Sequence, residues 1–312
     1  MFDVQAAFPD IEPIPQDDGP HPICAIQYPA HFNMVMGYFR ACLATEELSE
    51  RTLRLTAEVI DTNPANYTAW HCRRKCLAAL RKGLAEEMEF TTEAGGDNPK
   101  NYQIWYHRRA ILDEHFGKKE DGEEELLYVD KVLEEDAKNY HAWSHRQYII
   151  EKFELWDGEV AYVEKKIDSD IRNNSAWNQR WFAVHLKASK DGGGKYSARG
   201  EVDYALEIAR KDFHNESPFR YLLGILQECW CGESKVNEGE EDVKKLTGEV
   251  REKLAEMKDQ GSSHVHTALV DIATKEGDKE EAKRLCEELR DKLDVIRAKY
   301  WEKQIQKMGG GK

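Results

Sequence analysis

A nine-residue stretch repeated along the chain constrains the fold more than any other feature. Asn101-Tyr102-Gln103-Ile104-Trp105-Tyr106-His107-Arg108-Arg109 is preceded by Asn66-Tyr67-Thr68-Ala69-Trp70-His71-Cys72-Arg73-Arg74. It is followed by Asn139-Tyr140-His141-Ala142-Trp143-Ser144-His145-Arg146-Gln147 and by Asn173-Asn174-Ser175-Ala176-Trp177-Asn178-Gln179-Arg180. Aligned on Trp70, Trp105, Trp143 and Trp177, the copies are spaced by 35, 38 and 34 residues. Asn stands four residues before each Trp and Arg three residues after it. In a weaker fifth copy, starting at Asn215, Phe219 replaces Trp and Leu222 replaces Arg. A period of this length marks a helical solenoid, whose units cannot bury their apolar faces alone.

The spacing sets the geometry of one unit. Asn is a strong N-cap residue, and here it follows turn residues such as Asn63-Pro64 and Asn98-Pro99. Trp and Arg then lie three residues apart, on neighbouring rows of one helix. Second segments at Leu84–Glu93, Glu123–Glu135, Glu159–Ser169 and Ala198–Arg210 complete the units as helical hairpins. The lack of period-2 alternation agrees with an all-α solenoid of stacked hairpins. Four recurring tryptophans are read as core, since four copies cannot all serve one site. Arg73, Arg108, Arg146 and Arg180 are read as inter-repeat or intersubunit ion-pair partners, and His107 and His145 as structural.

Composition narrows the function. The 312 residues carry a net charge of −14, which argues against nucleic acid as the main partner. No apolar run is long enough to span a bilayer, and the N-terminal residues lack the pattern of a secretory signal. Seven cysteines without framework spacing fit a reducing, cytoplasmic setting. His71, Cys72 and Cys76, or Cys229 and Cys231, have no closed zinc spacing, so packing is the preferred reading and no metal is assigned to this chain.

In chain order, residues 1–30 form an extended Pro-rich segment whose apolar residues (Phe8, Ile11, Ile14, Ile23, Ile26) suggest docking. A helical-hairpin solenoid is expected over 31–306, with recognisable repeats over about 61–230 and a disordered tail at 307–312. A helix starts at His31, and Glu46–Ile60 forms the next. Gly95-Gly96 is expected to end its helix early, because paired glycines are poor in helices. Residues 191–195 and 232–239 read as loops. Beyond them, helices are expected at Glu240–Asp259, Ser263–Lys275 and Asp278–Gln304.

The Asn-Tyr-x-x-Trp-x-x-Arg-Arg unit resembles the α-subunit repeat of protein prenyltransferases. So do Asp10-Ile11-Glu12-Pro13-Ile14-Pro15-Gln16-Asp17-Asp18-Gly19-Pro20, Pro99-Lys100-Asn101-Tyr102-Gln103 and Asp136-Ala137-Lys138-Asn139-Tyr140-His141. These segments are similar to the α-subunit shared by protein farnesyltransferase and geranylgeranyltransferase type I, strongly over about 8–230 and weakly beyond. The resemblance implies a crescent-shaped right-handed superhelix around an obligate β-subunit. It implies transfer of a C15 or C20 isoprenoid, from farnesyl or geranylgeranyl diphosphate, to the cysteine of a C-terminal CaaX motif, as in Ras- and Rho-type GTPases. The Zn2+ would be bound by the β-subunit, with Mg2+ for farnesyl transfer. Two alternatives stay open: a non-enzymatic tetratricopeptide-like scaffold and a Rab geranylgeranyltransferase α-subunit.

The resemblance also singles out residues. Lys100 precedes a helix start, where backbone N–H groups and the helix dipole already favour anions. By itself it reads as a solvated lysine beside a turn; the resemblance implies catalytic stabilisation of the diphosphate. Gln103 matches a residue that hydrogen-bonds the carboxylate of the CaaX peptide. Tyr67, Tyr102, Asn139, Tyr140 and His141 match positions lining the substrate cleft towards the β-subunit, with repeat packing as the other reading. His141 is read as a diphosphate-side or interface donor and not as a general base.

Overall fold

The computed structural model describes residues 2–24, 26–115, 117–190, 196–232 and 239–309. It is helical throughout, with no strand among the described residues. Two compact units divide the chain at Leu155. The first holds α1 (Val4–Ala7), α2 (Ala30–Ala44), α3 (Glu50–Thr62), α4 (Tyr67–Leu80), α5 (Ala85–Asp97), α6 (Tyr102–His115), α7 (Lys119–Glu135) and α8 (Tyr140–Phe153). The second holds α9 (Glu159–Ser169), α10 (Asn174–Lys190), α11 (Ala198–Lys211) and α12 (Glu216–Cys231). It continues with α13 (Glu240–Glu256), α14 (Ser263–Glu276), α15 (Lys279–Glu288) and α16 (Ala298–Gly309).

The repeated Asn and Trp build the starts of α4, α6, α8 and α10 in the same way, and Asn215 caps α12 likewise. Asn66, Asn101, Asn139, Asn173 and Asn215 each accept a hydrogen bond from a backbone N–H of the first turn. Four residues on, the Trp indole N–H donates to a carbonyl in the preceding turn: Trp70 to Pro64, Trp105 to Pro99, Trp143 to Ala137 and Trp177 to Ile171, at 2.8–3.0 Å. Two of these carbonyls also receive the capping amide of a following repeat. Asn139 Nδ2 donates to Pro99 O at 3.1 Å, and Asn215 Nδ2 to Ile171 O at 2.7 Å. One loop carbonyl thus fixes its own helix and the following one. All four indole rings are buried.

The helices pair most closely as α3 with α4, α5 with α6, α7 with α8, α9 with α10 and α11 with α12. Each Trp helix is therefore the second member of its hairpin. The sequence reading set it first, one helix out of frame, because the Trp register repeats identically in either frame.

Arginines and glutamates join the hairpins. Arg73 on α4 forks onto Glu87 of α5 at 2.6 and 2.7 Å, and reaches back to Leu53 O and Thr56 of α3. Arg108 on α6 forks onto Glu125 of α7 and reaches Met88 O and Thr91 of α5. Arg180 on α10 forks onto Glu201 of α11 and reaches Glu164 of α9. Each of these guanidiniums stacks on the ring three residues past its glutamate: Phe90, Tyr128 or Tyr204, at 3.7–3.8 Å. The expected ion-pair role of these arginines is inter-repeat. Arg146 pairs with Asp130 of α7.

Four expectations change. Helix α5 runs through Gly95 and Gly96 to Asp97. Gly95 is there for space: a Cβ would sit 2.5 Å from Tyr128 Oη. The second helix starts at Glu50, with Ser49 as its cap and Glu46 left-handed at φ 51. The last long helix breaks at Asp294, whose carboxylate accepts from the indole of buried Trp301 at 2.7 Å. Residues 1–30 contain α1, and the segment docks through Phe8 on Tyr38 and Phe39 and through Ile14 N–H to Gly37 O. The loop at 191–195, most of 232–239 and the tail residues 310–312 lie outside the described residues.

Candidate diphosphate-facing site on the α6–α8 edge

The tyrosines that follow the capping asparagines occupy one repeated position, the first residue of α4, α6 and α8. That position points outward in each copy: Tyr67, Tyr102 and Tyr140 are 71%, 67% and 69% exposed. Tyr106, one turn along α6, is exposed as well. Four exposed aromatic rings on one unit are unusual for a surface that meets only water. Unit 2 has no such row, since Asn174 and Glu216 take the equivalent places.

Lys100 and His141 meet beside this row. His141, in the first turn of α8, packs edge-on against Tyr102 at 4.3 Å and against Tyr140 at 5.6 Å. Burial pushes its imidazole below the ordinary range, opposed by a hydrogen bond to the Lys100 backbone. The ring is therefore neutral near pH 7, and its one N–H is the one that donates to the Lys100 carbonyl. The Lys100 side chain is 74% exposed, with its ammonium 3.0 Å from Asp136 Oδ2. Gln103 is half-exposed in the first turn of α6.

Asn139 differs from its neighbours in being buried with both amide atoms engaged. Its oxygen caps α8 and its nitrogen holds Pro99 O, the carbonyl just before Lys100. It positions the Lys100 turn and offers nothing to a ligand directly. The structure thus gathers Lys100, Tyr102, Tyr140 and His141, places Gln103 beside them, and puts Tyr67 at the equivalent point of α4.

The cysteines offer no metal centre. Cys72 and Cys76 lie in α4, buried and hydrogen-bonded to each other. Among the described residues no cluster of three or more His, Cys, Asp or Glu has the geometry to hold a metal ion. These residues do not fit a zinc site, which needs three or four converging ligands.

Comparisons with known proteins bear on the family and the fold. The protein prenyltransferase alpha subunit repeat matches residues 49–80, 84–115, 123–153 and 156–186. The protein farnesyltransferase/geranylgeranyltransferase type-1 subunit alpha of Dictyostelium discoideum is 37% identical, over 96% of this chain and 92% of its own length. The Candida albicans protein of the same name is 30% identical over 99% of both chains. The chain belongs to this family. A solved structure titled Candida albicans protein geranylgeranyltransferase-I complexed with GGPP superposes with a TM-score of 0.82, at 28% identity, covering 96% of this chain and 98% of that one.

The matched repeats use the frame seen here, a helix followed by its Trp helix. They begin at residue 49, earlier than the 61 expected from the Trp register. Family membership makes the chain an α-subunit of a protein prenyltransferase and sets aside the scaffold and Rab-type alternatives. Among the described residues, no helix is long and apolar enough to cross a membrane.

Sequence reasoning missed two sets of residues. One is the glutamates Glu87, Glu125 and Glu159, which are buried, and Glu201, which is half-buried, each with an aromatic residue three positions on. That Glu-x-x-aromatic register is a findable signal, hidden among many surface glutamates. The other is Asp136, three residues before its capping Asn; Asp170 and Asp212 hold the same place in later loops.

Proposed function

We propose that the chain pairs with a β-subunit and transfers a C15 or C20 isoprenoid from its diphosphate to the cysteine of C-terminal CaaX motifs, in the cytoplasm. The observation that carries this reading is the meeting of Lys100, Tyr102, Tyr140 and His141 at the N-terminal edges of α6 and α8. An exposed ammonium stands there beside two phenols and the imidazole that holds its backbone, next to helix starts whose dipoles favour an anion.

The chemistry follows from charge. As the prenyl carbon leaves, negative charge builds on the diphosphate. An ammonium aimed at that charge lowers the barrier without tightening the ground state equally. The Lys100 ammonium supplies the charge, the phenols supply hydrogen bonds, and His141 anchors the Lys100 backbone. Gln103 donates its amide to the carboxylate of the CaaX peptide, and Asn139 holds the turn that presents Lys100. The tyrosine row faces the β-subunit, since an apolar ring with a polar tip suits a half-wet interface. The zinc implied by the family resemblance is the β-subunit's, and no step is assigned to it here.

Single-turnover kinetics on the purified heterodimer test the reading. Lys100→Ala should slow transfer by about 10²–10³, the cost of losing one such electrostatic contact. Heterodimer assembly should be unchanged. An unchanged chemical rate, or loss of the complex itself, would leave Lys100 a surface or structural residue. The mass added to a CaaX peptide distinguishes C15 from C20 transfer.

A further inference from the structure

The partner that Lys100 already has carries an assignment of its own. Asp136 caps the C-terminus of α7, and its Oδ1 accepts from the Lys138 backbone N–H at 3.1 Å. The carboxylate is thereby fixed on the turn that leads into α8, with Oδ2 left facing the Lys100 ammonium at 3.0 Å. The same turn's Asn139 holds Pro99 O, and His141 bonds the Lys100 backbone. The main chain of Lys100 is thus anchored by α8, and its ammonium by a carboxylate pinned just ahead of α8.

We propose that Asp136 is the resident counter-ion of Lys100, holding the ammonium when no anion is bound and competing with the diphosphate for it. This rests on the reading of Lys100 as the diphosphate-facing residue. The pair has the strength the role requires. An exposed Lys–carboxylate pair is weak, so an anion with several charges displaces it, whereas a buried one would be retained. When the diphosphate becomes a free product, the waiting carboxylate reclaims the ammonium and favours departure.

A purely structural strut is the competing account, and the chain contains one for comparison. In unit 2, Arg172 pairs with Asp212 Oδ2 at 2.6 Å, and Asp212 Oδ1 accepts from the His214 N–H at 3.0 Å. This is the same loop geometry in a repeat that lacks the tyrosine, so it supplies an internal control.

Inhibition of the purified heterodimer by inorganic diphosphate tests the proposal. Asp136→Asn keeps the turn-capping oxygen and removes the charge. It should tighten inorganic diphosphate binding about two- to fivefold, the amount by which an exposed pair of this kind competes. The gain should vanish in the Lys100→Ala background. Asp136→Glu should restore the original value, and Asp212→Asn should change nothing. Unchanged or weaker binding in Asp136→Asn, or a gain that persists without Lys100, overturns the proposal. If Asp136→Asn does not assemble, Asp136→Ser retains a capping hydroxyl and carries the same expectations. Lys100→Ala alone reports on the underlying reading: unaltered diphosphate affinity and transfer rate would remove the basis of both.

Discussion

At the scale of single residues, the hairpins are joined by buried charges whose hydrogen bonds are nearly all made. Glu125 receives both arms of Arg108 and the His145 ring at 2.7 Å. Burial raises such a carboxyl, but the bonds from Arg108 and His145 outweigh it and hold Glu125 below the usual range. Glu125→Ala strands two buried donors and should cost about 3–5 kcal/mol, the penalty for removing one partner of a buried ion pair. Denaturant unfolding of the heterodimer measures it. The histidines add a pH dependence of known sign. Burial pushes His107 and His145 below the ordinary imidazole range. The unfolded chain then binds more protons, so stability falls as pH drops below about 6.5. Gln179 shows the non-titrating form of the same contact, donating to Glu159 at 2.7 Å. His107→Gln should therefore keep the bond to Glu87 and flatten part of the acid limb in a profile of Tm against pH; an unchanged limb would clear His107 of the effect. The Trp, Asn and Arg of this network are legible in the sequence, because their types are scarce and their spacing is regular. The glutamates are not, because Asp and Glu number 59 and burial is a property of the fold.

At the scale of elements, helix interiors show where local propensity yields to packing. Gly122 in α7 lies against Phe153 of α8, and an added Cβ would come within 2.5–2.7 Å of that ring and its Cβ. Gly96 in α5 is exposed, with nothing within 4 Å of such a Cβ. Ala is intrinsically better than Gly in a helix by about 1 kcal/mol. Gly96→Ala should therefore stabilise by about 0.5–1 kcal/mol, while Gly122→Ala should destabilise by about 1–3 kcal/mol, the usual cost of overpacking. Thermal unfolding of the two variants side by side decides it, and equal shifts of the same sign would refute the packing account. Reading Gly95-Gly96 as a helix end treats both glycines as breakers. In the structure one makes room for Tyr128, and the other is a tolerated surface position. The break at Asp294 is hidden for the opposite reason. No Gly or Pro marks it, and it depends on Trp301 reaching back seven residues.

At the scale of the whole molecule, the first unit is finished on one side only. Its hairpins bury their tryptophans and satisfy their arginines, yet Tyr67, Tyr102, Tyr106 and Tyr140 remain outside. Aromatic rings this exposed contribute little to the fold of the chain that carries them, so changing them should cost it little. At an interface the same residues are the ones that dominate binding, often by more than 1 kcal/mol each. Expressed without a β-subunit, the chain should aggregate or be degraded; a stable, monodisperse monomer would count against an obligate partner. The triple change Tyr67→Ser, Tyr102→Ser and Tyr140→Ser separates folding from pairing. Its far-ultraviolet circular dichroism should stay helical, because each ring is about two-thirds exposed and caps no helix. Its solubility as a single chain should rise, because three apolar surfaces are gone. Its affinity for the β-subunit should fall by about a hundredfold or more, allowing for non-additivity among neighbouring interface residues. Co-purification yield and a titration of tagged β-subunit measure this directly. A triple variant that pairs normally would place the β-subunit elsewhere on the chain. The tyrosine row would then be left as a lining for substrate alone, with transfer kinetics, and not assembly, as the quantity it governs.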